Sequence, residues 1–210
     1  MRRRATLEFW YEFASTYSYL SAMRIEALAR TADVELRWRP FLLGPIFATQ
    51  GWTNSPFNLY PAKGRNMWRD LDREAARLGL PPVTRPTPFP QNSLSAVRVA
   101  TYGADQDWLV PFSKAVFETS FAKGGSIAEP AAVGRILDSL GLDGTQILKA
   151  AASEANKGRL KVAGEEARSR GIYGAPSFLT EDGELFWGND RLEQALAWTL
   201  AQARRSEAPV

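Results

Sequence analysis

The stretch LEFWYEFASTYSYL, Leu7 to Leu20, decides how the rest of the chain reads. Leu7, Phe9, Tyr11 and Phe13 recur with period two, which predicts a strand with one buried face. Ser15, Thr16 and Ser18 interrupt the apolar run. Leu20, Met23, Ala27 and Leu28 then resume it at helical spacing. A hydroxyl cluster between a buried strand and a helix start lies where unpaired backbone N–H groups and the helix dipole favour negative charge. A thiolate is one anion such a corner can hold. The simpler reading is that Ser15 or Ser18 only caps the helix, the commoner use of serine there.

Outward from this stretch, Val34 to Arg39 alternates again. Val34, Leu36 and Trp38 fall on one face and Glu35, Arg37 and Arg39 on the other, with Pro40 ending the strand. Strand, helix and strand within about 35 residues make a βαβ unit, so the two strands are expected to be parallel. Phe41 to Tyr60 loses all periodicity and carries Gly44-Pro45, Gly51, Asn54 and Ser55-Pro56, which reads as an apolar loop. A helix follows from Pro61 to Gly79, then a Pro-rich extended segment to Pro90. Further helices are read from Asn92 or Ser93 to Tyr102, from a cap at Asp107 to Ala122, and from Glu129-Pro130 to Gly141. One or two more, broken near Ser153, are read between Asp143 and Gly171. PSFLTEDGELFW then predicts a hairpin with a type I′ turn at Asp182-Gly183. Asp190 with Glu193 reads as a capping box for a last helix, striped by Leu192, Leu196 and Leu200. The Met1–Arg4 start reads as a frayed basic terminus and Ser206–Val210 as a disordered tail.

Composition excludes much. The 26 basic residues are scattered among 23 acidic ones for a net charge of +3, which argues for solvated helix faces and against a nucleic-acid stripe. No apolar run reaches the length of a membrane span, and the start lacks the apolar core of a secretory signal, so a cytoplasmic protein is expected. The chain has no cysteine and no histidine. That removes disulfides, cysteine nucleophiles, Ser-His-Asp triads and the usual zinc ligands. No metal site is expected. The chemistry must use hydroxyls, carboxylates, Lys, Arg, Tyr or a group brought in by a ligand.

The element order is therefore βαβ, a long helical block, then ββα. It resembles a thioredoxin-like four-stranded sheet with a large all-α insertion domain. The expected division is 1–43 with 154–210 for the sheet domain and 44–153 for the inserted helices.

Several segments carry a closer resemblance. Ser15-Thr16-Tyr17-Ser18-Tyr19-Leu20 after the first strand is similar to the SPYSYL-type motif of kappa-class glutathione transferases. The bacterial branch of that class is the 2-hydroxychromene-2-carboxylate isomerases. WRPFLLGPIF (Trp38–Phe47), Asn54 before Lys63 and a helix ending in LGLP, FPQNSLSAVR (Phe89–Arg98), GIYGAPSF (Gly171–Phe178) and FWGNDRLE (Phe186–Glu193) agree in order and spacing. Together they cover nearly the whole chain.

The resemblance implies a protein that binds reduced glutathione on its thioredoxin-like domain. It implies that Ser15 hydrogen-bonds the glutathione sulfur as the catalytic residue, with Thr16 and Tyr17 at further contacts. Asn54 and Lys63 correspond to the pair that holds the glycyl end. Ala175-Pro176 corresponds to a cis bond whose Ala175 backbone pairs with the cysteinyl unit. Asn189 and Asp190 correspond to the pair that receives the γ-glutamyl group. Taken on their own, Asp190 is also a helix cap, Asn54 a turn residue, Lys63 a solvated lysine and Pro176 an ordinary trans proline. The chain departs from the pattern at Thr16, where the family usually has proline. Serine at 15 and 18 cannot exchange disulfides, so the thiol must come with the ligand. The implied activity is glutathione-dependent interconversion of 2-hydroxychromene-2-carboxylate and trans-o-hydroxybenzylidenepyruvate in aromatic catabolism, by a homodimer acting on a small aromatic substrate. The alternatives are a kappa-class transferase or peroxidase acting on other electrophiles and a non-catalytic thioredoxin-like binding module.

Overall fold

The computed structural model describes residues 4–207, so the expectations for Met1–Arg3 and for 208–210 lie outside the described residues. The elements run β1 (Thr6–Tyr11), α1 (Thr16–Thr31), β2 (Glu35–Pro40), α2 (Leu43–Thr49), α3 (Pro56–Leu59), α4 (Pro61–Arg77), α5 (Leu94–Tyr102), α6 (Leu109–Phe121), α7 (Pro130–Ser139), α8 (Gly144–Ala151), α9 (Glu154–Ser169), β3 (Ser177–Thr180), β4 (Leu185–Trp187) and α10 (Leu192–Glu207). A short 3₁₀ turn, Asn189–Arg191, precedes α10.

The four strands form one sheet in the order β2-β1-β3-β4. β1 and β2 are parallel, joined by the helical crossover α1 that such pairing needs, and the other pairings are antiparallel. Register places Phe9 between Trp38 and Phe178, and Phe178 against Phe186. Their rings stack across the face: Phe9 lies 5.6 Å from Phe178 and meets Trp38 edge-on at 4.9 Å. The four-stranded thioredoxin-like sheet with its many helices is thus the fold that the order of elements predicts.

β1 differs from its alternation in one respect. Leu7, Phe9 and Tyr11 are buried on one face as expected, but Trp10 on the opposite face is also fully buried. Trp10, Phe41, Ile46, Ala167, Ile172 and Leu179 form a second, smaller core. Glu8 lies on that same face and its carboxylate takes the Trp10 indole N–H at 2.9 Å and Arg170 at 2.8 Å. A central strand covered on both sides loses the polar-out half of its pattern.

The main core runs without a break from the sheet into the helical block. Phe117 of α6 packs on Tyr11, Phe13 and Tyr19 at ring separations of 6.0, 5.1 and 6.5 Å. The buried Tyr11 hydroxyl bonds Ser113 of α6 at 2.8 Å. This contact fixes the end of β1, and so the corner that follows it, against residues more than 100 positions along the chain.

Other expectations need correction. The segment 41–60 is not an uninterrupted loop, because α2 and the single turn α3 lie within it. Gly44-Pro45 falls in the first turn of α2, where proline needs no hydrogen-bonding partner, so it opens a helix instead of breaking one. The hairpin turn is not type I′, which needs positive φ at both central residues. Only Gly183 has it, at 86°, and the Gly183 N–H bonds Thr180 O at 3.0 Å, giving a three-residue loop. α6 starts after Trp108 with no side-chain cap, so Asp107 does not cap it. Ser206 and Glu207 continue the backbone of α10. No helix among the described residues is long and apolar enough to cross a membrane.

Candidate functional site

The corner after β1 opens into a cleft of about 1650 Å³. All nine residues singled out from the sequence line it: Ser15, Thr16, Tyr17, Asn54, Lys63, Ala175, Pro176, Asn189 and Asp190.

Ser15 stands at the N-cap of α1 in extended conformation. Its hydroxyl accepts the Ser18 N–H at 3.2 Å and donates to Ala175 O at 2.8 Å. The capping reading therefore holds, and the second bond adds what capping alone does not require. It ties the start of α1 to the loop carrying the cis Ala175–Pro176 bond, 160 residues away. Ser18, despite the matching spacing, is fully buried, and its hydroxyl has no hydrogen-bond partner among the described residues. The two serines are thus unequal, and only Ser15 lines the cleft.

Thr16, in place of proline, leaves the turn intact and opens α1. Its buried hydroxyl donates to Met67 Sδ at 3.0 Å. Tyr17 donates to Asp70 Oδ2 at 2.9 Å. Burial, then the bond to Asp70 and its charge, drive the Tyr17 hydroxyl's pKa upward, so it stays a protonated phenol. Both contacts fix α4 against the first turn of α1.

Asn54 and Lys63 lie on the wall formed by α3 and α4. The exposed Asn54 side chain accepts the Ser55 N–H at 2.7 Å and the Asn58 amide at 3.1 Å, so it does satisfy a turn. Asn58 also donates to Phe89 O at 2.8 Å. Gly64 lets this wall close up: a Cβ there would stand 2.2 Å from the Phe57 carbonyl oxygen. Lys63 is exposed, 6.0 Å over the Tyr60 ring.

Asn189 is buried, and its side-chain oxygen accepts Ser21 Oγ at 3.0 Å and Arg24 Nε at 3.2 Å. Arg24 also donates to the Asn189 carbonyl and pairs with Glu193. The expected capping box is therefore absent, because Arg24 holds the Glu193 carboxylate. Among the described residues Asp190 takes no helix N–H on its carboxylate. Its exposed carboxylate pairs with Arg191 at 3.0 Å at the edge of the cleft.

One residue escaped the sequence reading. Glu12 is 5% exposed, lines the cleft, and accepts the Ala14 N–H at 2.8 Å and the Ser93 hydroxyl. Burial pushes its carboxyl up to about 7, against the lowering effect of those bonds. The signal was present: a carboxylate sits between Tyr11 and Phe13, both fully buried, three positions before Ser15.

A model of the DSBA-like thioredoxin domain family matches residues 6–197. The chain is 28% identical over 188 residues to a 2-hydroxychromene-2-carboxylate isomerase of Sphingobium xenophagum, covering 90% of this chain and 94% of the relative. It is 25% identical over 189 residues to the protein of that name from Pseudomonas putida, covering 89% and 90%. A solved structure of a 2-hydroxychromene-2-carboxylate isomerase superposes with a TM-score of 0.81 at 24% identity, over 97% of this chain and all of that one. The match over nearly the whole length, with the sheet and cis-proline corner described above, means that the chain belongs to the DSBA-like thioredoxin domain family.

Proposed function

We propose that the chain is a glutathione-dependent isomerase of 2-hydroxychromene-2-carboxylate or a closely related aromatic keto acid, acting in aromatic catabolism. The observation that carries this reading is Ser15. A hydroxyl at a helix N-terminus faces the cis-proline loop in a chain without cysteine, so the reactive sulfur must come from a ligand. The names of the two curated relatives supply the reaction.

The donor set suits reduced glutathione. From the β4 side Asp190 offers a carboxylate to the γ-glutamyl ammonium, beside Asn189. From the α4 wall Lys63 offers an ammonium that has no ion pair among the described residues, with Asn54 nearby, to the glycyl carboxylate. Between them the Ser15 hydroxyl and the first N–H groups of α1 meet the thiol, next to Thr16 and Tyr17. The Ala175 carbonyl now holds the Ser15 hydroxyl proton. A cysteinyl N–H reaching that carbonyl competes for it and frees the hydroxyl for sulfur, while Pro176 shapes the loop.

When bound, glutathione supplies a nucleophilic sulfur that makes one double bond of the substrate transiently single, so that it can rotate. Ser15 donates to the sulfur and does not itself attack. A free thiol has a pKa near ~8.5, and helix N–H groups with a donated hydroxyl bond lower it by one or more units. Phe47 and Trp52, 5.3 Å apart on the cleft wall, offer an aromatic surface to the substrate ring.

The test is conversion of 2-hydroxychromene-2-carboxylate followed by its ultraviolet spectrum, with and without glutathione. The expected result is conversion above the spontaneous rate only with both protein and glutathione. No conversion above that rate would overturn the reading. Conjugation of glutathione to an electrophilic aryl chloride without chromene turnover would make the protein a transferase instead.

A further inference from the structure

Five carboxylates line the cleft: Glu12, Asp70, Glu74, Asp190 and Glu193. Four have an arginine partner: Asp70 pairs with Arg73, Glu74 with Arg77, Asp190 with Arg191 and Glu193 with Arg24. Glu12 alone has no ion pair among the described residues, and it is the most deeply buried of the five. Its side chain folds forward over the chain that leads to Ser15. One carboxylate oxygen meets the Ala14 N–H, the other takes the Ser93 hydroxyl, and its own backbone carbonyl accepts the Ser15 N–H at 3.1 Å.

We propose that Glu12 is the proton acceptor for the thiol bound at Ser15, so that the corner exchanges a carboxylate for a thiolate and its net charge stays constant. The inference rests on the reading of the cleft as a glutathione site. In this step the S–H bond breaks with its electron pair left on sulfur, and the proton forms an O–H bond on the Glu12 carboxylate. The proton returns to sulfur when the thiol leaves. Ser15 cannot serve as this acceptor, because a hydroxyl is far too weak a base at neutral pH. Tyr17, the other ionisable group on this turn, is held as a protonated phenol by burial and Asp70.

The electrostatics agree. No charged side chain contributes to the rise of the Glu12 pKa. Burial drives it, and the groups that face the carboxyl are the Ser93 hydroxyl and the amides of Phe13 and Ala14. A free-protein value of about 7 puts the Glu12 titration near neutrality, where the carboxylate can both take up and return a proton. A thiolate in the same low-dielectric corner raises that value further, because two like charges there are costly. The two groups then titrate as a pair that sheds one proton readily and the second with difficulty.

The experiment is calorimetric binding of reduced glutathione at pH ~7.5 in buffers of different ionisation enthalpy, which counts protons released. The ultraviolet thiolate band is recorded on the same samples. S-methylglutathione, which has no thiol proton, corrects for protons exchanged by the rest of the site. The wild type is expected to form thiolate while releasing less than one proton per thiolate. Glu12→Gln should release about one proton per thiolate, more than the wild type, because its amide cannot take up the thiol's proton. Equal release in the two proteins, or a full proton per thiolate from the wild type, overturns the proposal and leaves Glu12 a strut to Ser93. Should the variant fail to fold, the wild-type ratio of protons to thiolate decides alone. Absence of glutathione binding, or of any thiolate band, overturns the glutathione reading itself and this proposal with it.

Discussion

On the floor of the cleft Ser15 is bonded to a carbonyl 160 residues away, whereas on the α4 wall Asn54 is bonded to Ser55 and Asn58, its near neighbours. The floor residues Glu12 and Asn189 are buried and, like the half-buried Ser15, tied to distant segments, Glu12 to Ser93 and Asn189 to Ser21. The wall residues Asn54 and Lys63 are exposed. The floor inherits its geometry from the continuous core through Tyr11, Phe13 and Phe117. The wall inherits its own from local turns and from the approach that Gly64 permits. A charge that develops during reaction needs donors already in place. Gripping the end of a peptide needs only charge and reach. Under the proposed function, the contrast puts chemistry at Ser15 and Glu12 on the floor and affinity on the wall.

Steady-state kinetics can break that assignment. Under the proposed function Ser15→Ala removes the donor to sulfur and should lower kcat about 100-fold, the usual loss for one preorganised donor, with KM for glutathione changed less than ~3-fold. A raised KM with intact kcat would move Ser15 into the wall's class. Loss of the helix cap should also cost about 1 kcal/mol of stability, seen as a lower denaturation midpoint.

The floor should also show in stability against pH. Burial raises the folded-state pKa of Glu12 above its value of 4.5 in the unfolded chain, to about 7. Its folded state binds the proton more tightly, so its contribution is fully present below pH ~4.5 and is lost as pH rises through about 7. Glu12→Gln removes that loss. Urea denaturation should find the variant close to wild type at pH ~4.5 and more stable at pH ~8, by an amount on the order of 3 kcal/mol. A constant difference across that range would contradict the burial argument.

The wall should give the smallest effects. Lys63→Ala and Asn54→Ala are expected to weaken glutathione binding about 5- to 10-fold each, measured by titration calorimetry, with kcat within ~2-fold of wild type. A contact of that size, near 1 kcal/mol, fits an exposed pair. A kcat loss comparable to that of Ser15→Ala would erase the distinction between the two sides.

The same distinction explains what the sequence could tell. β1, β2 and α1 were legible because each is decided by short-range pattern. Ser15 was legible because a hydroxyl before a helix start is a local signal. The second face of β1 was not, since Trp10 is buried by α2 and α9, which come much later in the chain. The capping box at Asp190 and Glu193 failed for a similar reason. Its local logic lost to Arg24, a residue 169 positions before Glu193. α2 was missed because Gly44-Pro45 marks a break and a first turn equally well. Glu12 was not singled out, because its burial depends on Ser93, 81 positions away, as well as on the rings on either side of it.

The central claim is that this corner lowers the pKa of a thiol the protein does not itself possess. It is tested most directly by titrating the ultraviolet thiolate band of glutathione bound to the wild type and to Ser15→Ala. The account predicts a wild-type midpoint at least about one unit below the ~8.5 of a free thiol, with the variant's midpoint returning towards that value. A bound thiol that titrates as it does in water, in both proteins, would contradict it.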